Sequence, residues 1–130
     1  MSNTNIEEAA ERGSGGAGPA ADAGRLNRCI ALCNACAVAC ERCASACIAE
    51  GAGARMARCV LLDLDCAAIC TAAAGIMARN SENAGLICSL CADICRLCAA
   101  ECASHSQPHC SRCAEACNQC EAECQRMATA

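Results

Sequence analysis

The sequence predicts an all-α chain folded as an antiparallel up-down-up-down four-helix bundle with a cysteine-lined core. Three observations lead there. The chain has 19 cysteines among 130 residues, and most fall three or four residues apart, the spacing that keeps side chains on one helix face. Short stretches of helix-stopping and capping residues divide the chain into four such segments. No alternating run of β-branched residues offers a strand.

Residues 1–24 are rich in Gly, Ala and small polar residues and read as a mobile tail, with one helical turn around Ile6 to Arg12. The bundle is expected over residues 25–127. Its first helix runs from about Arg25 to Glu50 and stops at Gly51-Ala52-Gly53, since glycine tolerates the backbone that ends a helix. The second covers about Ala54 to Arg79. Asn80-Ser81-Glu82-Asn83 then interrupts the pattern and supplies capping side chains. The third covers about Glu82 to Ser104. The fourth starts at Pro108, a residue suited to the first helical position, with Ser106 or Gln107 as cap, and ends near Met127. Connections this short make consecutive helices antiparallel neighbours.

Composition narrows the function. The chain has no Phe, Tyr or Trp, so alanine and cysteine must fill a core that aromatics usually fill. Such a core buries little apolar area, and something else is expected to add stability. The net charge is −4 and the ten basic residues form no run, which gives no footprint for nucleic acid. The N-terminus, MSNTNIEEAAERGSGGAG, has early acidic residues, no apolar stretch and no twin arginine. It does not read as a secretory signal. No segment is expected to span a bilayer. The chain is therefore expected in the cytoplasm, where thiols stay reduced.

The cysteines carry the chemistry. CIALCNACAVACERCASAC places Cys29, Cys33, Cys36, Cys40, Cys43 and Cys47 at gaps of 4, 3, 4, 3 and 4. The third helix carries Cys88, Cys91, Cys95, Cys98 and Cys102, and the fourth Cys110, Cys113, Cys117, Cys120 and Cys124. The second has Cys59, Cys66 and Cys70. Each set spans an arc of roughly 80° on its helix, so nearly every thiol is expected to point into a shared channel. Cysteine as a small hydrophobe accounts for one or two such positions, not for a near-monopoly of the seam on three helices. A disulfide scaffold fits badly with an odd count, a helical spacing and a reducing compartment.

Metal binding remains. Side chains at i and i+3 or i+4 have Cβ atoms about 5–6 Å apart, so two sulfurs can flank one ion at bonds of roughly 2.3 Å. Thiolate selects Cu(I), zinc or iron–sulfur clusters. Zinc held by four thiolates leaves each site at a net charge of about −2, which is costly to bury repeatedly. Cu(I) at about one ion per thiolate leaves the channel nearly neutral and needs only two or three sulfurs. The Cys-Pro that ends a bacterial ferredoxin run is absent. A zinc or iron–sulfur protein, or an electron carrier using the same thiols, stays as the alternative.

With CxxxCxxCxxxCxxCxxxC on its first helix and three further helical segments, the chain resembles the bacterial copper storage proteins over about residues 25–127, and the lack of an export signal makes it similar to their cytosolic branch. The resemblance implies a bundle that stores many Cu(I) ions on its inward cysteines, assembled as a homotetramer.

The antiparallel arrangement brings Cys47, Met56, Cys102, His105, His109 and Cys110 to one end. A mouth is expected there, with His105 and His109 as weaker ligands passing copper to the thiols, and the resemblance favours His109. Met77 and Met127 lie toward the other end, where filling a gap in the core is the expected role of methionine. Asp63, between Cys59 and Cys66, is expected near the edge of the seam, as a metal ligand, a hydrogen-bond acceptor for a free thiol, or a carboxylate leaning to the rim. Val60, Leu61 and Leu64 on the second helix, with Leu86, Leu90 and Leu97 on the third, face away from the cysteines, and an apolar outer face of this kind predicts a homo-oligomer formed through those helices. No nucleophile–base–orienter set is expected, so the chain reads as a store and not an enzyme.

Overall fold

The computed structural model describes residues 19–51 and 53–129, so the expected tail and its turn at Ile6 to Arg12 lie outside the described residues except for the last part of that range. The described residues form four helices: α1 (Pro19–Ala49), α2 (Ala57–Ala78), α3 (Ala84–Ala103) and α4 (Pro108–Thr129), with a short 3-10 turn at Gly53–Met56 leading into α2. No strand occurs among the described residues.

The first helix begins six residues ahead of the expected Arg25. Proline is pre-organised for a first helical turn, and the alanines that follow have the highest helix propensity of any residue. Within this extra length Ala23 is buried, one turn before the buried Leu26. The helix stops as expected. Gly51 and Gly53 take φ values of 68° and 62°, and the Gly51 N–H bonds the Ile48 carbonyl at 3.0 Å.

The break after α2 works differently from the expectation. Asn80 takes the left-handed φ of 57°. Its N–H bonds the Met77 carbonyl at 3.0 Å, and the Ser81 N–H reaches back to Ile76 at 3.3 Å, the paired bonds of a Schellman ending with asparagine in the usual glycine place. Asn83 precedes α3 without a side-chain capping bond; its own N–H goes to Ser81 Oγ at 3.0 Å. Before α4, the Gln107 carbonyl accepts from Cys110 and Ser111 at 3.0 and 3.1 Å, and Pro108 sits at the first helical position as expected.

The helices pack in a ring, each against the next and α4 against α1. Sulfur pairs fix the sense of each contact. Between α1 and α4, Cys29 meets Cys124 at 3.7 Å, Cys36 meets Cys117 at 3.6 Å and Cys43 meets Cys110 at 3.8 Å. Between α2 and α3, Cys59 meets Cys102 at 3.7 Å, Cys66 meets Cys95 at 3.7 Å and Cys70 meets Cys91 at 3.6 Å. In both series one number rises as the other falls by the same amount, as antiparallel helices require.

The expectation about membranes needs correction. Asp22–Ala49 and Gly53–Ala78 are long and apolar enough to cross a membrane, with mean hydropathies of 1.3 and 1.8. Alanine and cysteine both raise hydropathy, and the cysteines responsible line the inside of this bundle.

Candidate metal centre: a column of thiols

All 19 cysteines are free and buried, none more than 1% exposed. They are the core. The other buried side chains are mostly alanines, which let the helices approach until sulfurs on different helices stand 3.6–3.9 Å apart. Two sulfurs sharing an ion at roughly 2.3 Å sit about 3.8–4.0 Å apart at tetrahedral or trigonal angles. The spacing is therefore close to what a shared metal needs.

The sulfurs fall into overlapping sets whose ligand atoms lie within 4.8 Å of one another. Cys33, Cys91, Cys120 and Cys124 form one, and Cys40, Cys98, Cys113 and Cys117 another. Cys36 and Cys66 belong both to a set with Cys70 and Cys95 and to a set with Cys40 and Cys117. Because sets share members, each sulfur can bridge two ions, and the column behaves as a ladder of linked sites. Soft sulfur in this arrangement suits Cu(I), zinc or iron–sulfur chemistry.

The second helix, with the fewest cysteines, completes the column with other residues. Its buried stripe, continuing from Met56 of the preceding turn, runs Cys59, Asp63, Cys66, Cys70, Ala73 and Met77, at gaps of 3, 4, 3, 4, 3 and 4 counted from Met56. Asp63 and Met77 thus occupy seam positions and are 0% exposed. The rim placement considered for Asp63 is overturned, and the signal that could have located it was the spacing itself, read through a charged residue.

Asp63 sits among thiols. Its Oδ1 accepts from Cys113 at 3.2 Å, Cys98 at 3.3 Å and Cys102 at 3.4 Å, while Cys59 points at Oδ2 from 3.9 Å. Loss of water raises its pKa to about 7, because burial penalises the carboxylate form. The hydrogen-bond role considered for Asp63 is the one these contacts display. Burial acts on the thiols in the same direction. It pushes Cys110 up to about 11, and it raises Cys43 and Cys59 as well. These groups hold their protons at neutral pH.

At one end, Cys43, Cys47, Cys59 and Cys110 form a further set. His109 Nδ1 stands 3.6 Å from Cys110 Sγ and 4.0 Å from Cys47 Sγ. Its Nε2 meets Glu50 Oε2 at 2.9 Å. A carboxylate only accepts, so Nε2–H donates to Glu50 and Nδ1 is the ring nitrogen that faces the sulfurs. His105 is placed differently: its Nε2 meets Glu101 Oε2 at 2.9 Å, and Arg58 holds the same carboxylate at 3.0 Å. Met56 is buried nearby, with the Gln107 amide 4.0 Å from its sulfur. The structure brings His109 to the thiols and gives His105 to a surface ion pair.

Cys110, His109 and Glu50 also make a thiol–imidazole–carboxylate chain, which the sequence reading did not expect. The raised pKa of Cys110 argues against an activated nucleophile there, since the thiolate is the reactive form. At the other end, Cys88 Sγ approaches Met77 Sδ at 3.6 Å, and Met127 packs on the core while only half-buried.

Comparison with known proteins agrees with this geometry. The profile of the copper storage protein family matches residues 22–129. The Cu(I)-bound copper storage protein BsCsp3 is 39% identical, with a TM-score of 0.77 over 80% of this chain and 98% of that one. The Streptomyces lividans copper storage protein Ccsp, loaded with 10 copper equivalents, is 34% identical with a TM-score of 0.81, covering 95% of this chain and 98% of its own. An uncharacterised cysteine-rich protein of Bacillus subtilis (strain 168) is 41% identical over 81 residues, 62% of this chain and 75% of that protein. A buried ladder of free thiols, a helical ring that spaces them for a soft ion, and a match across most of the chain lead to one conclusion: this chain belongs to the copper storage protein family.

Proposed function

We propose that the chain stores Cu(I) in the cytoplasm, holding about one ion per cysteine along the thiol column. The observation that carries this reading is the set of 19 buried, free thiols in overlapping groups with sulfurs within 4.8 Å. Each Cu(I) replaces one thiol proton, so filling adds no net charge to a dry interior, whereas zinc at four thiolates per ion would accumulate charge there. The storage unit is the bundle, residues 25–127 together with the helical ends that extend it. All 19 cysteines serve as ligands, and of the two histidines expected at the mouth His109 serves it, with its Nδ1 facing Cys47 and Cys110, while His105 is held at Glu101.

The chain acts without catalysis and as a homotetramer. Leu61, Leu64, Leu86, Leu90 and Leu97 remain exposed on α2 and α3, up to 74% for Leu86, and these faces supply the subunit contacts. Val60 is excluded from them, because it is half-buried against the core. The decisive experiment is anaerobic titration of the reduced protein with Cu(I) against a competing chelator. Saturation near one copper per cysteine is expected. Saturation at one or two ions overturns the reading, and preferential retention of zinc or assembly of a coloured iron–sulfur cluster would favour the alternative.

A further inference from the structure

We propose that the end of the column opposite the histidines is closed by a mixed thiolate–thioether site, in which Met77 Sδ binds Cu(I) beside Cys88 and its neighbours. The inference rests on the copper reading of the thiols and extends it to a residue whose sequence suggests only packing.

Met77 stands where the stripe on α2 calls for another ligand, seven residues beyond Cys70. It is 0% exposed. Its sulfur, and not merely its carbon chain, is turned to the column, with Sδ 3.6 Å from Cys88 Sγ. That separation matches the 3.6–3.9 Å between neighbouring thiols that form the shared sites, and it is near the roughly 3.8 Å edge of a tetrahedral site with 2.3 Å bonds. Cys124 and Cys29 both act on the Cys88 thiol, and they lie 3.7 Å from each other. Four sulfurs from four helices therefore converge at this end.

Charge gives the thioether a specific use. Inside the column each thiolate can bridge two ions, one on either side. At the last rung there are no thiols beyond to complete the outermost ion. Another thiolate there would add an uncompensated buried negative charge, which is expensive. A thioether is soft and neutral, so it fills the vacant coordination position without disturbing the one-to-one balance. His109 offers a neutral donor at the opposite end in the same sense, and the column is then bounded by an uncharged ligand at each terminus.

The test uses full-length protein produced with selenomethionine, which labels all four methionines, saturated anaerobically with Cu(I). X-ray absorption at the selenium edge reports copper at about 2.4 Å, slightly beyond a metal–sulfur bond of ~2.3 Å. A copper shell around about one selenium in four is expected, and its loss in Met77→Leu, a change that keeps the volume of the plug. In the sulfur-containing protein, Met77→Leu should release one copper equivalent to a chelator about tenfold faster, the low end of what losing a supporting contact costs a metal site. No copper shell, or a shell that persists in Met77→Leu, overturns the proposal while saturation near one copper per cysteine leaves the storage reading intact. Saturation at one or two ions, by contrast, fails the storage reading itself.

Discussion

Filling the column should be a proton exchange, and its pH dependence is set by the buried thiols. Burial holds Cys110 at about 11 and raises Cys43 and Cys59, so these sites start as thiols at neutral pH. A Cu(I) ion binding in place of each proton makes affinity fall tenfold for each unit of pH lost, about 1.4 kcal/mol per ion. Lowering the pH from about 7.5 to 5.5 should then weaken average retention roughly 100-fold. Asp63 adds a detail. With its pKa raised to about 7 by burial, it is mostly protonated at pH 6 and mostly ionised at pH 8. Copper on Cys98, Cys102 and Cys113 removes the thiol donors that favour the ionised form of Asp63 and adds no net charge, so loading at pH 8 lets Asp63 take up a proton and lowers the release by up to about one proton per chain. The assay is anaerobic addition of Cu(I) to unbuffered protein held at constant pH, with the base consumed recorded per ion, alongside chelator competition across the same range. About one proton per copper is expected throughout at pH 6, and a deficit of up to about one proton per chain at pH 8 that disappears in Asp63→Asn. Release below about half a proton per copper, or retention that is flat between pH 7.5 and 5.5, would refute the reasoning, because the column would then be ionised before copper arrives.

Further outcomes follow from the same geometry. In the copper-free protein, Asp63 has a folded-state pKa near 7 against an ordinary value of 3.8. The unfolded chain therefore binds fewer protons between those values, and stability falls as pH rises through that window; Asp63→Asn should remove the slope and gain up to roughly 4 kcal/mol at pH 8, measured by denaturant unfolding under reductant, with equal slopes in both proteins counting against it. His109→Ala should slow the first transfers from a Cu(I) chelator by about tenfold, while His105→Ala, held at Glu101, should stay close to wild type; equal effects of the two changes would dismiss the distinction. Leu64→Arg with Leu86→Arg should give monomers in sedimentation with unchanged copper per chain, and a monomeric wild type would remove the oligomer from the proposal.

Much of this was legible because cysteine is conspicuous and its 3-4 rhythm is strict. Four helices, their glycine stop after α1, the proline start of α4 and the inward thiols all follow from residue type and spacing. What escaped was the part of the seam made of other residues. Asp63 was placed near an edge because charge argues for water, yet Cys98, Cys102 and Cys113 supply the hydrogen bonds that let it be buried. Met77 reads as a gap-filler because sequence gives no direction to its sulfur. The Cys110–His109–Glu50 contact joins α4 to the end of α1, a pairing that depends on the three-dimensional register of the turns. The first turn and a half of α1 is illegible because alanine and glycine before Arg25 resemble a tail, and only the burial of Ala23 marks them as helix.

The close approach of thiols across the bundle has a consequence for the empty protein. Cys36 and Cys117, or Cys70 and Cys91, stand 3.6 Å apart, and a disulfide needs a sulfur separation of about 2.05 Å with a suitable dihedral angle. An oxidant that entered the interior would find partners already in reach, and every bond it made would remove two ligands and weld two helices. Burial keeps oxidants out while the bundle stays shut, but local opening would admit them. An empty column is therefore the oxidation-sensitive state, and a filled one has its sulfur electrons committed to metal. Copper and oxidation compete for the same thiols, so prompt filling also preserves the capacity to be filled again.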